Sequence, residues 1–288
     1  MQILEQEPLR AHTTFRIGGA AKYYAIPTTA EEIKEAISFA KERELPFLTI
    51  GRGSNILFAD EGYPGVVIEI GKGMEEITIQ KDGKVRAQAG VSLSSLASAV
   101  ARESLTGLEF AGGIPGTLGG AVTMNAGAYG GEIKDGIVSA MVLDQEGNLR
   151  TLSKDELELS YRSSVIQKEN YIVVEAEFQL EQGDKEEILA HMKELNAQRR
   201  EKQPLEYPSA GSTFKRPEGY FAGKLIQDAG LRGYRVGDAQ VSEKHCGFVV
   251  NRGAATAEDV KQLIQDVQTK VMDTFGVRLE TEVKIIEY

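Results

Sequence analysis

Cysteine and histidine are both scarce in this chain. A single cysteine, Cys246, forms no internal disulfide, and three histidines are too few for a zinc cluster, so we expect no structural metal. No segment approaches the roughly 20 consecutive apolar residues of a membrane-spanning helix. The first ten residues, MQILEQEPLR, carry acids where a signal peptide needs basic residues. We therefore expect a cytoplasmic protein that does not enter a membrane.

An excess of positive charge is also missing. The chain has 33 basic and 43 acidic side chains, a formal net charge of -10, which argues against a nucleic-acid partner. Its 288 residues, 41% of them hydrophobic, are enough for two or three compact units. Small phosphorylated ligands stay possible, because backbone amides of glycine loops bind phosphate whatever the net charge.

Local patterns predict a mixture of helices and strands. Thr29 and Glu32 form a capping-box pattern that begins a helix extending to about Leu45, and Asp82-Gly83 predicts a hairpin. Further helices are predicted at 92–104, at 184–202 through Ile188, Leu189, Met192 and Leu195, and near 223–229. A last helix begins after Thr256, with Asp259 completing its capping box. Its predicted apolar face contains Val260, Leu263, Ile264, Val267, Val271, Met272 and Phe275. Strands are predicted at 47–50, 56–58, 66–70, 137–143, 171–180, 247–251 and 278–286.

Two segments are unusually rich in glycine. GRGSN, residues 51–55, follows a predicted strand, and either a phosphate-binding loop or a plain tight turn explains it. The second segment, residues 112–131, has so many glycines that a ligand approaching the backbone closely is the better explanation. Neither segment fits the dinucleotide fingerprint G-x-G-x-x-G or the phosphate loop that ends in Gly-Lys-Ser/Thr.

Six motifs occur in an order that is more specific than any one of them. They are HTTFRIGG (12–19), GRGSN (51–55), GIPGTLGGAVTMNAGAYGGE (113–132), YRSS (161–164), AGSTFKRP (210–217) and LETEV (279–283). Together they resemble the UDP-N-acetylenolpyruvoylglucosamine reductase family over nearly the whole chain. The segment between Arg162 and Pro204 is too short for the tyrosine-bearing loop of longer members, so the chain resembles the shorter, type II form.

The resemblance implies an α+β protein. Its FAD-binding part would have the vanillyl-alcohol-oxidase-type fold in two subdomains, residues 1–72 and 73–202, followed by an α+β substrate-binding domain at 203–288 whose last strand returns to the first subdomain. FAD would be held noncovalently. The pyrophosphate would meet Gly51, Arg52, Gly53, Ser54 and Asn55, and the flavin would be bordered by Gly116, Thr117, Gly119, Gly120, Asn125, Ala126, Gly127 and Tyr129.

The implied reaction reduces UDP-N-acetylglucosamine enolpyruvate to UDP-N-acetylmuramate, a step of peptidoglycan synthesis, with NADPH as reductant. By motif position, Arg162 would bind the carboxylate on which charge develops, Ser212 would donate the proton and Glu282 would hydrogen-bond the enediolate. Without the family resemblance, the residues alone favour a surface ion pair for Arg162, a turn serine for Ser212 and a solvated strand residue for Glu282. A related flavin oxidase or dehydrogenase, and a binding protein without turnover, are the alternatives.

Several further residues have weaker assignments. Lys202, Lys215 and Arg216 are expected to bind the substrate. Arg199 lies three residues before Lys202 on the same predicted helix face, and either an anionic group of the substrate or NADPH or a solvated helix end explains it. The solvated helix end is favoured more for Arg199 than for Lys202. Tyr129, Tyr207 and Tyr220 are the residues considered as replacements for the missing loop tyrosine. His245 and Cys246 are interpreted as packing residues, and a monomer is expected.

Overall fold

The structure is a computed structural model and describes residues 1–287. Its first half contains the strands β1 (Gln2–Pro8), β2 (Ala20–Ile26), β3 (Phe47–Ile50), β4 (Ile56–Phe58), β5 (Tyr63–Glu69), β6 (Ile77–Ile79), β7 (Lys84–Gln88), β8 (Leu105–Thr106), β9 (Gly127–Ala128), β10 (Gly131–Glu132) and β11 (Ile137–Leu143). The helices of this half are α1 (Ala30–Glu42), α2 (Leu93–Arg102), α3 (Leu118–Thr123) and α4 (Ile133–Gly136).

The second half continues with the strands β12 (Leu149–Ser153), β13 (Ile172–Gln179), β14 (Glu181–Gln182), β15 (Ser209–Ser212), β16 (Arg235–Val236), β17 (Ala239–Val241), β18 (Phe248–Asn251) and β19 (Lys284–Ile286). Its helices are α5 (Val165–Lys168), α6 (Lys185–Lys202), α7 (Ala222–Asp228) and α8 (Ala257–Phe275). None of the helices within residues 1–287 has the length and apolar character needed to cross a bilayer.

The chain divides into two compact units. The first contains Met1–Leu4, Tyr24–Arg52 and Gly65–Arg199, and the second contains Glu5–Tyr23, Gly53–Pro64 and the chain from Arg200 onward. One of the division points therefore falls inside GRGSN, between Arg52 and Gly53.

An antiparallel five-stranded sheet of order β12-β11-β13-β7-β6 is the centre of the first unit. The predicted turn at Asp82-Gly83 joins β6 to β7, and Gly83 donates its N–H to the carbonyl of Gln80 at 3.1 Å. Val85 and Phe178 oppose each other in adjacent strands and are both completely buried, so this face of the sheet belongs to the core. β3 and β5 pair in parallel.

Helix α1 begins where the sequence predicts, but its cap differs from the expected capping box. Thr29 Oγ1 accepts the N–H of Glu32 at 3.2 Å, as predicted. The Glu32 carboxylate, however, accepts the N–H of Thr28 at 2.7 Å rather than that of Thr29. Ile33, Ala36, Ile37 and Ala40 of α1 are buried, as their helical spacing predicts.

The second unit is built on an antiparallel sheet of order β15-β18-β17-β16, with α8 lying against β16 and β17. The predicted capping box at Thr256 and Asp259 is present, and Asp60 also accepts the N–H of Ala257 at 2.9 Å. Five of the predicted face residues are buried: Val260, Leu263, Ile264, Val267 and Val271. Met272 and Phe275 are 48% and 38% exposed, so the apolar face ends earlier than predicted.

Other predictions need correction. The final strand is confined to Lys284–Ile286, which pairs in parallel with β4, because Thr281 forms only an isolated bridge with Phe214. Leu189 of α6 is 44% exposed rather than part of the buried face. The second glycine-rich segment contains the helix α3. Ten strands lie where no strand was predicted: β1, β2, β8, β9, β10, β12, β14, β15, β16 and β17.

Candidate active site

Gly51, at the end of β3, allows two motifs of the first unit to touch. A Cβ atom at this position would lie 2.1 Å from Thr117 Oγ1, so any larger residue would push GRGSN away from the GTLGG segment. Within residues 1–287, the backbone N–H groups of Gly51 and Arg52 donate no hydrogen bond. They remain available to an anionic ligand.

Gly53 plays the corresponding part in the second unit. Its φ is +55°, and a Cβ atom would lie 2.2 Å from the carbonyl oxygen of His12. Gly53 accepts the N–H of Thr14 at 3.2 Å, and Thr14 Oγ1 donates to the carbonyl of Ser209 at 2.7 Å. Gly53 is buried, yet its own N–H has no acceptor in the described chain. A buried N–H without a partner is rare, and a ligand phosphate would satisfy it.

The glycines of residues 116–120 serve two purposes. Gly119 donates to the carbonyl of Ala89 at 2.8 Å, and its missing Cβ would lie 3.0 Å from Ala89 Cβ, so the chain packs on itself here. Gly120 is exposed, and the nearest atom to a Cβ there is Thr117 Oγ1, at 3.8 Å. The glycine-rich composition is therefore only partly a sign of ligand approach, and Gly120 is a position where a ligand has room.

Asn125 organises the loop that follows. It is completely buried, with a φ of +45°, and its Nδ2 donates to Glu132 Oε2 and to the carbonyl of Ser160, both at 3.0 Å. Its Oδ1 accepts the N–H of Lys134 at 2.9 Å. The sequence predicted Asn125 beside the flavin, and the structure shows that its side chain joins three segments of the protein. Ala126 is buried, and Tyr129 is 44% exposed with a φ of +53°.

Arg162 lies in a tight turn that contacts this loop. Ser160 and Ser163 exchange backbone hydrogen bonds of 3.1 Å, and Arg162 has a φ of +53°, a conformation that costs about 1–2 kcal/mol for a residue with a Cβ. Its Nη2 donates to the carbonyl of Gly127 at 3.2 Å. Ser164 Oγ donates to the carbonyl of Thr123 at 2.5 Å. The YRSS and NAGAYGG motifs are thus held together within the first unit.

One carboxylate beside Arg162, that of Glu132, has a lowered pKa. The hydrogen bond from Lys134, whose Nζ lies 2.7 Å from Glu132 Oε2, lowers the pKa of Glu132, and the hydrogen bond from Asn125 and the charge of Arg162 act in the same direction. Burial opposes these effects. Glu132 therefore stays ionised and helps to fix the Asn125 loop.

Ser212 ends strand β15 in the second unit. The neighbouring Thr213 is buried, donates its N–H to the carbonyl of Gly247 at 2.8 Å, and accepts the N–H of Val249 through Oγ1 at 3.0 Å. Among residues 1–287 the Ser212 hydroxyl forms no hydrogen bond, unlike the usual turn serine that bonds local backbone. The backbone is fixed while the hydroxyl stays available.

Glu282 pairs through its backbone with Thr213, the residue after Ser212, although the two are far apart in the sequence. Its N–H donates to the carbonyl of Thr213 at 2.8 Å, and its carbonyl accepts Asn55 Nδ2 at 3.1 Å. The side chain is half-buried. The second unit therefore brings together Ser212, Glu282 and the asparagine of GRGSN.

The predicted substrate-binding cations differ in their surroundings. Lys215 Nζ lies 3.3 Å from Glu280 Oε2, and the Arg216 guanidinium lies 4.0 Å from the centre of the Phe221 ring. Lys202 is exposed at the end of α6. Of the tyrosines, Tyr220 is 48% exposed, and Tyr207 lies under the guanidinium of Arg252.

Sequence reasoning undervalued Arg199. It is half-buried instead of solvated, whereas the next residue, Arg200, is exposed. The signal available in the sequence was its helical spacing, because Arg199 follows the buried Leu195 by four residues. Cys246 is buried, and burial raises the pKa of its thiol, so it is an inert packing residue.

Family models match both parts of the chain. One described as "UDP-N-acetylenolpyruvoylglucosamine reductase, C-terminal domain" matches residues 203–286, and one described as "FAD binding domain" matches residues 21–153. In the first unit, the unpaired amides of Gly51 and Arg52 and the open position at Gly120 fit such a cofactor, so the chain is an FAD-binding protein.

Individual proteins agree with the family models. The chain is 57% identical to the UDP-N-acetylenolpyruvoylglucosamine reductase of Agathobacter rectalis, over 99% of this chain and 94% of that protein. The same reductase of Lachnoclostridium phytofermentans is 59% identical, over 97% and 91% of the two chains. The crystal structure of the reductase from Thermus caldophilus superposes with a TM-score of 0.83 at 36% identity, covering 99% of this chain and 98% of that one.

These matches confirm the α+β, FAD-binding fold class expected from the sequence. Relatives of this identity, covering nearly the full length of both chains, are sufficient to establish the family. The chain belongs to the UDP-N-acetylenolpyruvoylglucosamine reductase family and is an FAD-dependent oxidoreductase.

Proposed function

We propose that this enzyme converts UDP-N-acetylglucosamine enolpyruvate to UDP-N-acetylmuramate, with NADPH as the reductant. The observation that carries the proposal is the pairing of two distant motifs in the second unit. The Glu282 N–H binds the carbonyl of Thr213, the residue that follows Ser212, and the Ser212 hydroxyl forms no hydrogen bond within residues 1–287, which supports a common role for the two motifs. A proton donor beside a carboxyl group suits a substrate on which a carbanion and an enediolate develop.

The cofactor is held by loops of the chain itself. The assigned pyrophosphate loop is Gly51 to Asn55, and the unpaired N–H groups of Gly51, Arg52 and the buried Gly53 support a phosphate ligand there. The flavin is assigned to Gly116, Thr117, Gly119, Gly120, Asn125, Ala126, Gly127 and Tyr129. When bound, FAD would supply the hydride, obtained from NADPH, for the β-carbon of the enolpyruvyl double bond.

The catalytic residues act on the charge that this addition creates. As the carbon–carbon double bond is reduced, its electron pair moves to the α-carbon and into the carboxylate. The Arg162 guanidinium is assigned to this carboxylate, because its planar fork donates two parallel hydrogen bonds. Glu282 is assigned to the developing enediolate, to which it would donate a further hydrogen bond if protonated. Ser212 Oγ gives its proton to the α-carbon, and water returns a proton to the serine.

The remaining assignments follow from the same family pattern. Lys202, Lys215 and Arg216 are proposed to bind anionic groups of the UDP-sugar. Three subdomains, residues 1–72, 73–202 and 203–288, a cytoplasmic location and a monomeric state also stay predictions. The residue that replaces the loop tyrosine of longer relatives is to be sought among Tyr129, Tyr207 and Tyr220.

Stopped-flow measurement of the two half-reactions tests this function. NADPH is expected to bleach the flavin, and UDP-N-acetylglucosamine enolpyruvate is expected to restore its colour, whereas UDP-N-acetylglucosamine, which lacks the double bond, leaves it reduced. In D2O the product is expected to carry deuterium at the α-carbon. Flavin that NADPH reduces but that the enolpyruvyl sugar does not reoxidise would refute the proposed substrate.

A further inference from the structure

Arg199 is a half-buried arginine without a counter-ion. It lies near the end of α6, in the first unit, and within residues 1–287 no carboxylate, carbonyl or side-chain oxygen accepts a hydrogen bond from its guanidinium. Arginine is almost never fully buried in proteins unless it is paired, and partial burial of an unpaired guanidinium already removes part of its hydration. The position therefore has an unexplained cost.

The charge itself is retained. Burial lowers the pKa of the Arg199 guanidinium, and the neighbouring Tyr129 opposes this effect. A guanidinium in a protein nevertheless remains protonated. Of its five N–H donors, those that burial removes from water have no acceptor within residues 1–287.

The glycine-rich segment is built to accommodate this side chain. A Cβ atom at Gly113 would lie 2.9 Å from Arg199 Cδ and 2.7 Å from Asn196 Oδ1. The absence of a side chain at Gly113 is what allows the aliphatic part of Arg199 to lie against the backbone. A solvated arginine at a helix end needs no such arrangement, since its side chain turns freely into water.

We infer that Arg199 binds an oxyanion, a phosphate or carboxylate group, of a nucleotide ligand. The inference rests on the proposed function, which brings three such ligands to the protein: FAD, NADPH and the enolpyruvyl UDP-sugar. A planar guanidinium pairs with either oxyanion through two parallel hydrogen bonds. Gly113, against which Arg199 packs, and Tyr129, which affects its pKa, belong to the second glycine-rich segment, and Tyr129 is assigned to the flavin.

Three measurements on the holoenzyme identify the source of the oxyanion. Arg199→Gln is compared with Arg200→Gln, a matched control that removes the same charge from the exposed neighbouring residue. FAD release on dilution is followed by flavin fluorescence, flavin bleaching is measured against NADPH concentration, and reoxidation is measured against enolpyruvyl-sugar concentration. Arg199→Gln is expected to weaken one affinity by at least about tenfold, and the affected ligand is the one that Arg199 binds.

Two further variants separate ligand binding from a structural role. Arg199→Lys keeps the charge but not the fork, so an intermediate loss in the same affinity is expected. Gly113→Ala places a Cβ against Arg199 and is expected to reproduce the loss without removing the guanidinium. Both variants also keep the question answerable if Arg199→Gln fails to fold.

The outcomes are distinct. Three affinities of Arg199→Gln within about twofold of those of Arg200→Gln would overturn the inference. The inference would also be overturned if the affinities for all three ligands fell equally and the free energy of unfolding fell with them, because that pattern indicates a general loss of structure. If the wild-type flavin is not reoxidised by the enolpyruvyl sugar, the proposed substrate fails, and the FAD and NADPH measurements still decide the role of Arg199.

Discussion

The Arg162 turn of the first unit and the Ser212 strand of the second are held in place by different means. Arg162 lies in a loop with a left-handed backbone, and the loop is attached through side chains: Asn125 to the carbonyl of Ser160, and Ser164 to the carbonyl of Thr123. Ser212 ends a strand, and the bonds around it run from backbone to backbone or to the buried Thr213 hydroxyl.

This difference determines how each region should respond to mutation. Backbone ladders do not depend on the side chain that carries the chemistry, so that side chain is replaceable without structural loss. A loop attached by side chains depends on residues that never touch the substrate. We therefore expect activity and stability to separate at Ser212 and to fall together around Arg162.

The largest expected effect is that of Ser212→Ala. Loss of the proposed proton donor is expected to slow reoxidation by the enolpyruvyl sugar by about 10²–10⁴-fold, with unchanged reduction by NADPH and an unfolding free energy within about 0.5 kcal/mol of wild type. Stopped-flow absorbance and urea titration measure these quantities. Ser209→Ala, on the same strand, is the control. A reoxidation rate equal to that of Ser209→Ala would remove Ser212 from the mechanism.

Asn125→Ala tests the other half of the comparison. The variant loses three hydrogen bonds of a completely buried side chain, and we expect the free energy of unfolding to fall by about 2–4 kcal/mol. FAD affinity should fall as well, because the loop assigned to the flavin loses its anchor. Asn148→Ala removes an exposed hydrogen bond to Asp144 and should cost less than about 1 kcal/mol. Equal costs for the two variants would contradict the proposed importance of the Asn125 anchor.

Arg162→Gly separates backbone strain from chemistry. Glycine adopts the φ of +53° without the Cβ penalty, so this variant should be about 1 kcal/mol more stable than Arg162→Ala, while both lose the reaction with the enolpyruvyl sugar. Glu44→Gly, at an exposed residue with the same φ of +53° after α1, should be similarly stabilised and stay fully active. Urea unfolding and the oxidative half-reaction are the measurements. No difference between Arg162→Gly and Arg162→Ala would show that the turn is unstrained.

Local signals allowed much of the fold to be predicted. The hairpin at Asp82-Gly83 and the start of α8 at Thr256 depend on residues close together in sequence, and both were predicted correctly. The conformation of the segment before β19 was not predicted correctly. The N–H of Glu282 binds the carbonyl of Thr213, and the N–H of Lys284 binds the carbonyl of Asn55, so its conformation depends on distant residues. No hydrophobic periodicity within this segment of the sequence indicates those distant partners.

The same reasoning applies to the candidate site. Motif order was enough to select Arg162, Ser212 and Glu282, but the contact between Glu282 and Thr213 depends on tertiary pairing. The burial of Arg199 was not predicted because a charged residue near a helix end usually lies in water. Its burial against Gly113 is a property of the packed chain.

The smallest expected effect concerns the charge beside Arg162. The folded-state pKa of Glu132 is lowered, chiefly by the hydrogen bond from Lys134, so its stabilising contribution is present above the ordinary value of 4.5 and is lost as the pH falls through the folded-state pKa. The contribution should be at most about 1 kcal/mol, because the pair is partly exposed. The difference in unfolding free energy between wild type and Glu132→Gln should therefore shrink from pH 6 towards pH 3. Lys134→Gln removes the principal cause of the lowered pKa and should therefore flatten the pH dependence. If the stability difference between wild type and Glu132→Gln instead persists at pH 3, Glu132 holds the Asn125 loop by shape rather than by charge.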